Sequence, residues 1–311
     1  MKEFDLAIAF TWEYDEDFVE LIERTLQSNG LTTFKVQYHN YDEVHFRLQN
    51  NELKFRFYLD RASDSDDRFL PLAKLISRTR LPHVIWMSGQ GKIYIINNYS
   101  QVEFATDKAT MHLEFIANGI NTPFTIIISP YSRRKEIVFK LSELTKLGRP
   151  FIIKPANTTG GGLGVVTGAE SLNDIFRERQ YLQDDKYLLQ EKVTPLELEG
   201  KRFWFRCFWA FGKIFPCWWN DITHQYKILS EDEIKQYELK HLYRITKKIQ
   251  KICGLDFFST EIALNQNGKF IVVDYVNEIC DMRFQSKHFD GVPDDIVVSI
   301  IHSMMKFIKR R

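Results

Sequence analysis

A lysine followed by a glycine-rich loop is the part of this sequence whose residue types and spacing best fit phosphate chemistry. The apolar run at 151–153 ends in Lys154, and a loop of small residues with four glycines precedes the next apolar pair at 165–166. Glycine lets backbone N–H groups approach an anion closely, and the lysine adds a point charge on the same side. The segment therefore predicts a loop over a polyphosphate, with an ordinary hairpin turn as the alternative. It has the spacing of neither a P-loop nor a dinucleotide-binding glycine motif.

Two carboxylates are predicted to face each other on a hairpin late in the chain. If Asn267-Gly268 forms a two-residue turn, Gln266 faces Lys269 and Glu261 lies opposite Asp274. Opposed side chains have Cβ atoms about 4.5–5.5 Å apart, so two like charges there repel unless a proton or a cation intervenes. Mg²⁺ suits such a pair because it takes one or two protein carboxylates together with phosphate oxygens. An exposed hairpin whose carboxylates face water is the alternative, and a one-residue change in loop length would undo the pairing.

A strand–helix–strand pattern at the N-terminus predicts a parallel α/β sheet. Apolar runs at 4–10, 31–36 and 54–59 indicate strands, and 15–28 has helical periodicity. Further strands are predicted at 84–87 and 93–96 around the turn 88–91, and at 124–128, 187–193, 203–211, 213–219, 258–264 and 269–276. Further helices are predicted at 69–78, 106–119, 136–147, 171–182, 230–252 and from 293 onward.

Composition restricts the class of protein. The 311 residues are 44% hydrophobic and 27% charged, and the net charge is +1. This is ordinary for a soluble globular chain of two or three subdomains, and it predicts no nucleic-acid or membrane partner. No apolar stretch approaches the roughly 18–20 residues of a membrane span. The N-terminus does not resemble a signal peptide, and the four cysteines lack metal-site spacing, so we expect free thiols in the cytoplasm.

The order of these pieces resembles the ATP-grasp superfamily, and loosely its ribosomal-protein glutamate ligase and glutathione synthetase branches. The lysine-glycine loop, the strand Gln190-Glu191-Lys192-Val193 and the carboxylate hairpin ending in Val276-Asn277 carry the resemblance. It covers nearly the whole chain and implies an α/β (α+β) fold with ATP between two of three subdomains. These would be an N-terminal parallel α/β subdomain at 1–104, a central lid at 105–190, and a C-terminal antiparallel-sheet subdomain with the metal site at 191–311.

The resemblance implies a nucleotide site built from several segments. Lys108 and Lys154 look like the two lysines that contact phosphate in that family. Glu199, or as second choice Glu197, would take the ribose hydroxyls. The loop over the phosphates and the strand whose backbone reads adenine would supply the remaining contacts. The implied cofactor-binding residues are Lys108, Lys154, Thr158, Gly160, Gly161, Gly162, Gln190, Glu191, Lys192, Val193 and Glu199.

The resemblance also implies that Glu261, Asp274 and Asn277 bind two Mg²⁺ ions. The sequence departs from the family here, since the usual late motif has an acid two residues before the asparagine. Tyr275 occupies that place, and Asp274 is three residues before Asn277. A β-bulge could restore the geometry, and Asp281 is a reserve ligand.

The implied activity is an ATP- and Mg²⁺-dependent ligase acting on small-molecule or peptide substrates. A substrate carboxylate would attack the γ-phosphate to give an acyl phosphate, and an amine would then displace phosphate to give an amide. Arg206 and Lys154 would be the catalytic residues, and Arg206 could instead stack on Trp204 or Trp209. Arg202, Arg206 and Arg283 hint at an anionic group on the substrate. A phosphotransferase acting on a hydroxyl and a non-catalytic nucleotide-binding protein are the alternatives, and a homodimer is left open.

Overall fold

Three sheets of four or five strands, with one short hairpin, organise the chain. The structure is a computed structural model and describes residues 2–78, 93–157 and 162–311. The predicted strand at 84–87 and turn at 88–91 lie outside the described residues. The four cysteines are buried and free, as predicted. Among the described helices, none is long and apolar enough to cross a membrane.

The first sheet is fully parallel, which confirms the prediction from the N-terminal pattern. Its strand order is β2-β1-β3-β4. Its strands are β1 (Lys2–Phe10), β2 (Thr33–Val36), β3 (Leu53–Arg61) and β4 (Tyr94–Ile96), and its helices are α1 (Glu16–Gln27), α2 (Tyr41–Gln49) and α3 (Leu70–Arg78). Helix α2 was not predicted. It buries only Val44 and Leu48 and has no side-chain N-cap, so its sequence signal is weak.

The second sheet is antiparallel, with the order β5-β8-β6-β7. Its strands are β5 (Thr125–Ile128), β6 (Phe151–Pro155), β7 (Val166–Ala169) and β8 (Tyr187–Glu191), and the helices around it are α4 (Tyr99–Thr106), α5 (Lys108–Ala117), α6 (Leu141–Leu147) and α7 (Leu172–Tyr181). Ser171 caps α7 by accepting from the N–H of Asp174, as predicted. Helix α5 begins at Lys108 with Asp107 as its N-cap, which confirms the helix predicted at 106–119, whereas α4 before it was not predicted.

The third sheet is antiparallel, with the order β13-β12-β11-β14-β15. It follows the hairpin of β9 (Glu197–Leu198) and β10 (Lys201–Arg202). Its strands are β11 (Trp204–Ala210), β12 (Lys213–Asn220), β13 (Gln225–Ile228), β14 (Phe257–Leu264) and β15 (Phe270–Asn277), and the helices are α8 (Glu231–Gln236), α9 (Lys240–Cys253) and α10 (Asp294–Arg310). The long helix predicted from Ser230 is interrupted, because Glu238 has a left-handed φ of +55°.

The third sheet lies between two cores. One face, with Trp204 and Phe208, packs against α10 and α1 and so joins the first sheet. The other face, with Phe205 and Ile262, packs against α5 and α9. This arrangement places the ends of β3 and β4 beside the end of β15. The predicted subdomain boundaries at 104/105 and 190/191 stay predictions.

Candidate functional site

Glu261 and Asp274 face each other across β14 and β15, as the sequence predicts. The predicted two-residue turn is nevertheless wrong. The N–H of Asn265 donates to the carbonyl of Lys269 at 3.0 Å, which closes a loop of three residues. Gly268 takes the left-handed φ of +70° that such a loop requires. The extra residue shifts the pairs beside the loop by one position, and an irregularity immediately after Glu261 restores the predicted pairing.

A second irregularity in this hairpin brings Asn277 to the two acids. It precedes Glu261 and pairs Ser259 with Asn277. Residues three apart point to opposite faces of a regular strand, yet Asn277 Nδ2 donates to Asp274 Oδ2 at 2.9 Å. The amide oxygen of Asn277 is then the atom left to ligate a cation. The structure therefore brings the three predicted metal ligands together despite their irregular spacing.

The donor set of two carboxylates and an amide fits Mg²⁺, which accepts such oxygens beside those of a phosphate. Across residues 2–78, 93–157 and 162–311, no group of three or more histidine, cysteine or acidic side chains is arranged to hold a metal. A metal at Glu261, Asp274 and Asn277 would therefore need phosphate oxygens as further ligands.

Burial and nearby cations shift the pKa values of the two acids in opposite directions. Burial raises the pKa of Glu261 and outweighs the attraction of Arg206. Burial also acts to raise the pKa of Asp274, but the charges of Lys154 and Lys108 lower it overall. Two acids in one poorly solvated place thus differ in how readily they take a proton, which is typical of functional pairs.

Two lysines lie close enough to these acids for their charges to lower the pKa of Asp274. Lys154, at the end of β6, is buried, and its Nζ donates to the carbonyl of Val273 at 3.0 Å. Burial lowers its pKa to about 8, helped by Lys108 and opposed by Asp274 and Glu261. Lys108 begins α5, and its backbone N–H donates to the carbonyl of Ala156 at 3.0 Å. Both predicted phosphate lysines therefore act electrostatically on the predicted metal ligands.

Arg206 pairs with Glu261 across β11 and β14. Its Nη1 is 3.4 Å from Glu261 Oε1, and its Nε donates to Ser259 Oγ at 3.2 Å. The guanidinium lies over the ring of Trp219, at 5.2 Å from the centroid, while Trp204 Nε1 donates to Glu261 Oε2 at 3.0 Å. Arg206 is thus both stacked on an aromatic ring and next to the predicted metal site.

The side chain of Gln190 belongs to the core rather than to a ligand. It donates to the hydroxyl of Tyr275 at 2.8 Å and to Thr125 Oγ1 at 3.0 Å. The same hydroxyl lies 2.7 Å from His112 Nδ1, and burial lowers the pKa of His112 to about 4. Tyr275, the residue that departs from the expected motif, therefore connects the carboxylate hairpin to β8. The sequence contained no signal for His112.

No family model and no curated protein matches the sequence, but solved structures match over nearly its whole length. The RimK domain ATP-grasp protein from Sphaerobacter thermophilus aligns with a TM-score of 0.63 and 14% identity, covering 99% of this chain and 100% of that one. D-alanine–D-alanine ligase from Bacillus anthracis, complexed with ATP, gives 0.63 and 12%, covering 100% and 99%. The ATP-grasp ligase PsnB, complexed with a minimal precursor, Mg and ADP, gives 0.57 and 13%, covering 97% and 98%.

This chain has the ATP-grasp fold. The fold class predicted from the sequence is confirmed. The roles of individual residues stay predictions, and the structure places them unevenly. Thr158, Gly160 and Gly161 lie outside the described residues. Gly162 has a φ of +73°, and its carbonyl accepts from the N–H of Val165 at 3.0 Å, so at this position the glycine serves a turn.

The remaining residues predicted to bind nucleotide lie in or just after β8 and in the turn of the β9–β10 hairpin. The N–H of Glu191 donates to the carbonyl of Phe124 at 2.9 Å, whereas Lys192 and Val193 lie beyond the strand. Glu199 is exposed and accepts from the Tyr237 hydroxyl at 2.6 Å, on the face of the third sheet opposite Glu261. The alternative ribose residue, Glu197, pairs with Arg202 at 2.8 Å. The ribose contact stays a prediction for both.

A cavity of about 320 Å³ opens beside Asn277, at the carboxyl ends of β3 and β4. Ligands of open parallel sheets bind at this edge. Asn157 and Asn277 line it, together with five acids: Asp60, Asp64, Asp67, Glu103 and Glu278. No lysine or arginine is among the described lining residues. Burial raises the pKa of Glu278 to about 8. Residues 63–67 contain three aspartates, which are a visible signal in the sequence for this acidic lining.

The arginines that hinted at an anionic substrate are already paired. Arg202 Nε lies 2.6 Å from Asp221 Oδ1. Arg283 pairs with Asp281 at 2.6 Å and with Asp290 at 2.9 Å. The hint is therefore unsupported. Asp281, the reserve metal ligand, accepts hydrogen bonds from the Arg283 guanidinium with both carboxylate oxygens.

Proposed function

We propose that this chain is an ATP- and Mg²⁺-dependent ligase that activates a carboxylate as an acyl phosphate and joins it to an amine. The proposal rests on one observation. Buried Lys154 lies close enough to Glu261 and Asp274 for their charges to act on its pKa, and Asn277 donates a hydrogen bond to Asp274. The similar ATP-grasp structures, described as ligases, support the same class of reaction. The irregular spacing that favoured a non-catalytic protein loses weight, because a bulge brings Asn277 back to Asp274.

Each group has a role in this reaction. Lys108 and Lys154 would neutralise phosphate oxygens, and Arg206 would stabilise charge on the phosphoryl group while it transfers. Mg²⁺ held by Glu261, Asp274 and Asn277 would supply further positive charge to the phosphates. In the first step an oxygen of the substrate carboxylate bonds to the γ-phosphorus and ADP leaves. In the second, the amine nitrogen bonds to the acyl carbon, phosphate leaves, and the nitrogen loses a proton.

The acidic cavity favours entry of the amine from the side of the first sheet. An amine in water is an ammonium ion, which the carboxylates of Asp64, Asp67 and Glu103 attract, whereas they repel a substrate carboxylate. The same oxygens would accept the proton that the amine must lose before it attacks.

Release of ADP in the presence of a panel of acids and amines tests the proposal. We expect Glu261→Gln and Asp274→Asn to lower turnover by about a hundredfold or more. Glu20→Gln, at an exposed position on α1, should leave turnover unchanged. Hydroxylamine should trap the acyl phosphate as a hydroxamate. ADP release with a phosphorylated hydroxyl and no hydroxamate would identify a phosphotransferase instead, and nucleotide binding without ADP release would favour the non-catalytic alternative.

A further inference from the structure

Helix α9 presents an exposed face of positive charge far along the third sheet from the acidic cavity. Its exposed basic residues are Lys240, His241, Arg244, Lys247, Lys248 and Lys251, and the helix contains no acidic residue. Their spacing places them on one side, opposite the buried Leu242 and Ile249. At 1.5 Å per residue the face is about 16 Å long.

This face borders a cavity of about 380 Å³ where α9 meets the end of α5 and the loop of the β14–β15 hairpin. Four basic side chains line it: His241, Arg244, Lys248 and Lys269. None of the described lining residues is acidic, and none of these four side chains forms an ion pair with a described carboxylate. By contrast, Arg202, Arg206 and Arg283 are all paired with acids.

Ring stacking and a hydrogen bond fix one wall of this cavity, and its two glycines border open space. The ring of His241 stacks on Phe270 at 5.3 Å and 13°. Arg244 Nη2 donates to His241 Nε2 at 3.2 Å, which orients the guanidinium. A Cβ placed on Gly268 would meet nothing within 4 Å, and one on Gly119 would meet only Lys248 Nζ, at 3.9 Å.

We propose that this cavity binds a compact, multiply charged phosphate anion of the oligophosphate class, separately from the candidate ATP site. Three cations without an ion-pair partner among the described carboxylates, Arg244, Lys248 and Lys269, surround one concavity and raise the local concentration of anions. An anion with several charges contacts several of them at once, whereas a monovalent ion cannot. The volume falls at the lower end of the roughly 300–1,000 Å³ of ligand sites. None of the described lining residues is one of the residues predicted to bind nucleotide or metal.

Calorimetric titration with inorganic tripolyphosphate at low ionic strength tests the proposal. The protein carries Lys154→Met, so that binding at the candidate ATP site is weakened. We expect binding to persist in this background and to fall by about tenfold or more when Lys248→Glu and Lys269→Glu are added, because charge reversal acts strongly where screening is weak. The control pair, Lys213→Glu and Lys227→Glu, changes the net charge equally at exposed positions on other strands and should bind as the parent does.

Two outcomes would overturn the proposal: loss of binding with Lys154→Met alone, or an equal loss in both charge-reversed pairs. The neutral pair, Lys248→Gln with Lys269→Gln, should also bind more weakly, and an unchanged circular dichroism spectrum would show that the site is lost and not the fold.

Titration of ATP in the same background identifies the source of the phosphates. If ATP binds more tightly than tripolyphosphate, the ligand is a nucleotide. If the two bind equally, the ligand is a free oligophosphate.

Discussion

The buried ammonium of Lys154 should make the stability of this protein depend on pH in a window that an exposed lysine would not affect. Its pKa falls from the ordinary 10.5 to about 8, chiefly through burial. Below pH 8 the group is charged in both the folded and the unfolded state. Between pH 8 and 10.5 the folded state releases the proton while the unfolded state keeps it. Because the unfolded state then binds more protons, stability rises with pH across this window.

The magnitude follows from the size of the shift. A difference of about 2.5 pKa units at about 1.36 kcal/mol each corresponds to about 3 kcal/mol. We therefore expect the natural protein to gain about 3 kcal/mol of stability relative to Lys154→Met as the pH rises from 8 to 10.5. The same variant should lose ATP turnover, because it lacks the charge that we propose neutralises the phosphates.

Urea unfolding at pH 7, 8, 9 and 10.5 measures this difference. Other lysines and tyrosines also titrate at high pH, so the quantity to compare is the natural protein minus the variant. Lys306→Met makes the same change at an exposed position on α10 and should show no pH-dependent difference. Parallel stability curves for the natural protein and Lys154→Met would refute the reasoning, since a lysine that stays solvated has no cause to shift its pKa.

Three further perturbations have definite expected results. Tyr275→Phe should lower the free energy of unfolding by about 1–3 kcal/mol in urea, because its hydroxyl bonds two buried polar groups, while Tyr181→Phe at an exposed site should change little. Glu103→Gln should raise the KM for the amine several-fold in the ADP-release assay and leave kcat nearly unchanged. A change in the KM for the carboxylate instead would contradict entry of the amine through the acidic cavity. Gly291→Ala should lower the melting temperature more than Gly168→Ala, because its Cβ would lie 2.7 Å from backbone atoms whereas that of Gly168 meets nothing. Equal losses would exclude the clash as the cause.

The parallel first sheet could be predicted because strand and helix periods alternate clearly along its first 60 residues. Helix α2 could not, since it buries only two apolar side chains and lacks a capping side chain. The break between α8 and α9 could not be predicted from the sequence either. Glu238 adopts a left-handed conformation there, although it is neither a glycine nor next to a glycine or a proline.

The carboxylate pair was predicted correctly from a turn that was wrong. The loop at Asn265 is one residue longer than assumed, and the strand irregularity after Glu261 compensates for it. Bulges depend on packing on both faces of a sheet and leave little trace in a single sequence. For the same reason the partner of Tyr275 was invisible, because 85 residues separate it from Gln190.

The candidate site is electrostatically incomplete without a ligand. Burial works against the charge of Lys154 and of Glu261, and the two acids repel each other while the lysines partly offset them. A polyphosphate would give the lysines partners, and a cation would give the acids one, so each ligand would strengthen binding of the other. The free-energy cost of removing these charges from water arises when the chain folds and not when it binds its ligands. A site preorganised in this way lowers the barrier to phosphoryl transfer. Nucleotide and Mg²⁺ together should therefore stabilise the protein by more than the sum of their separate effects.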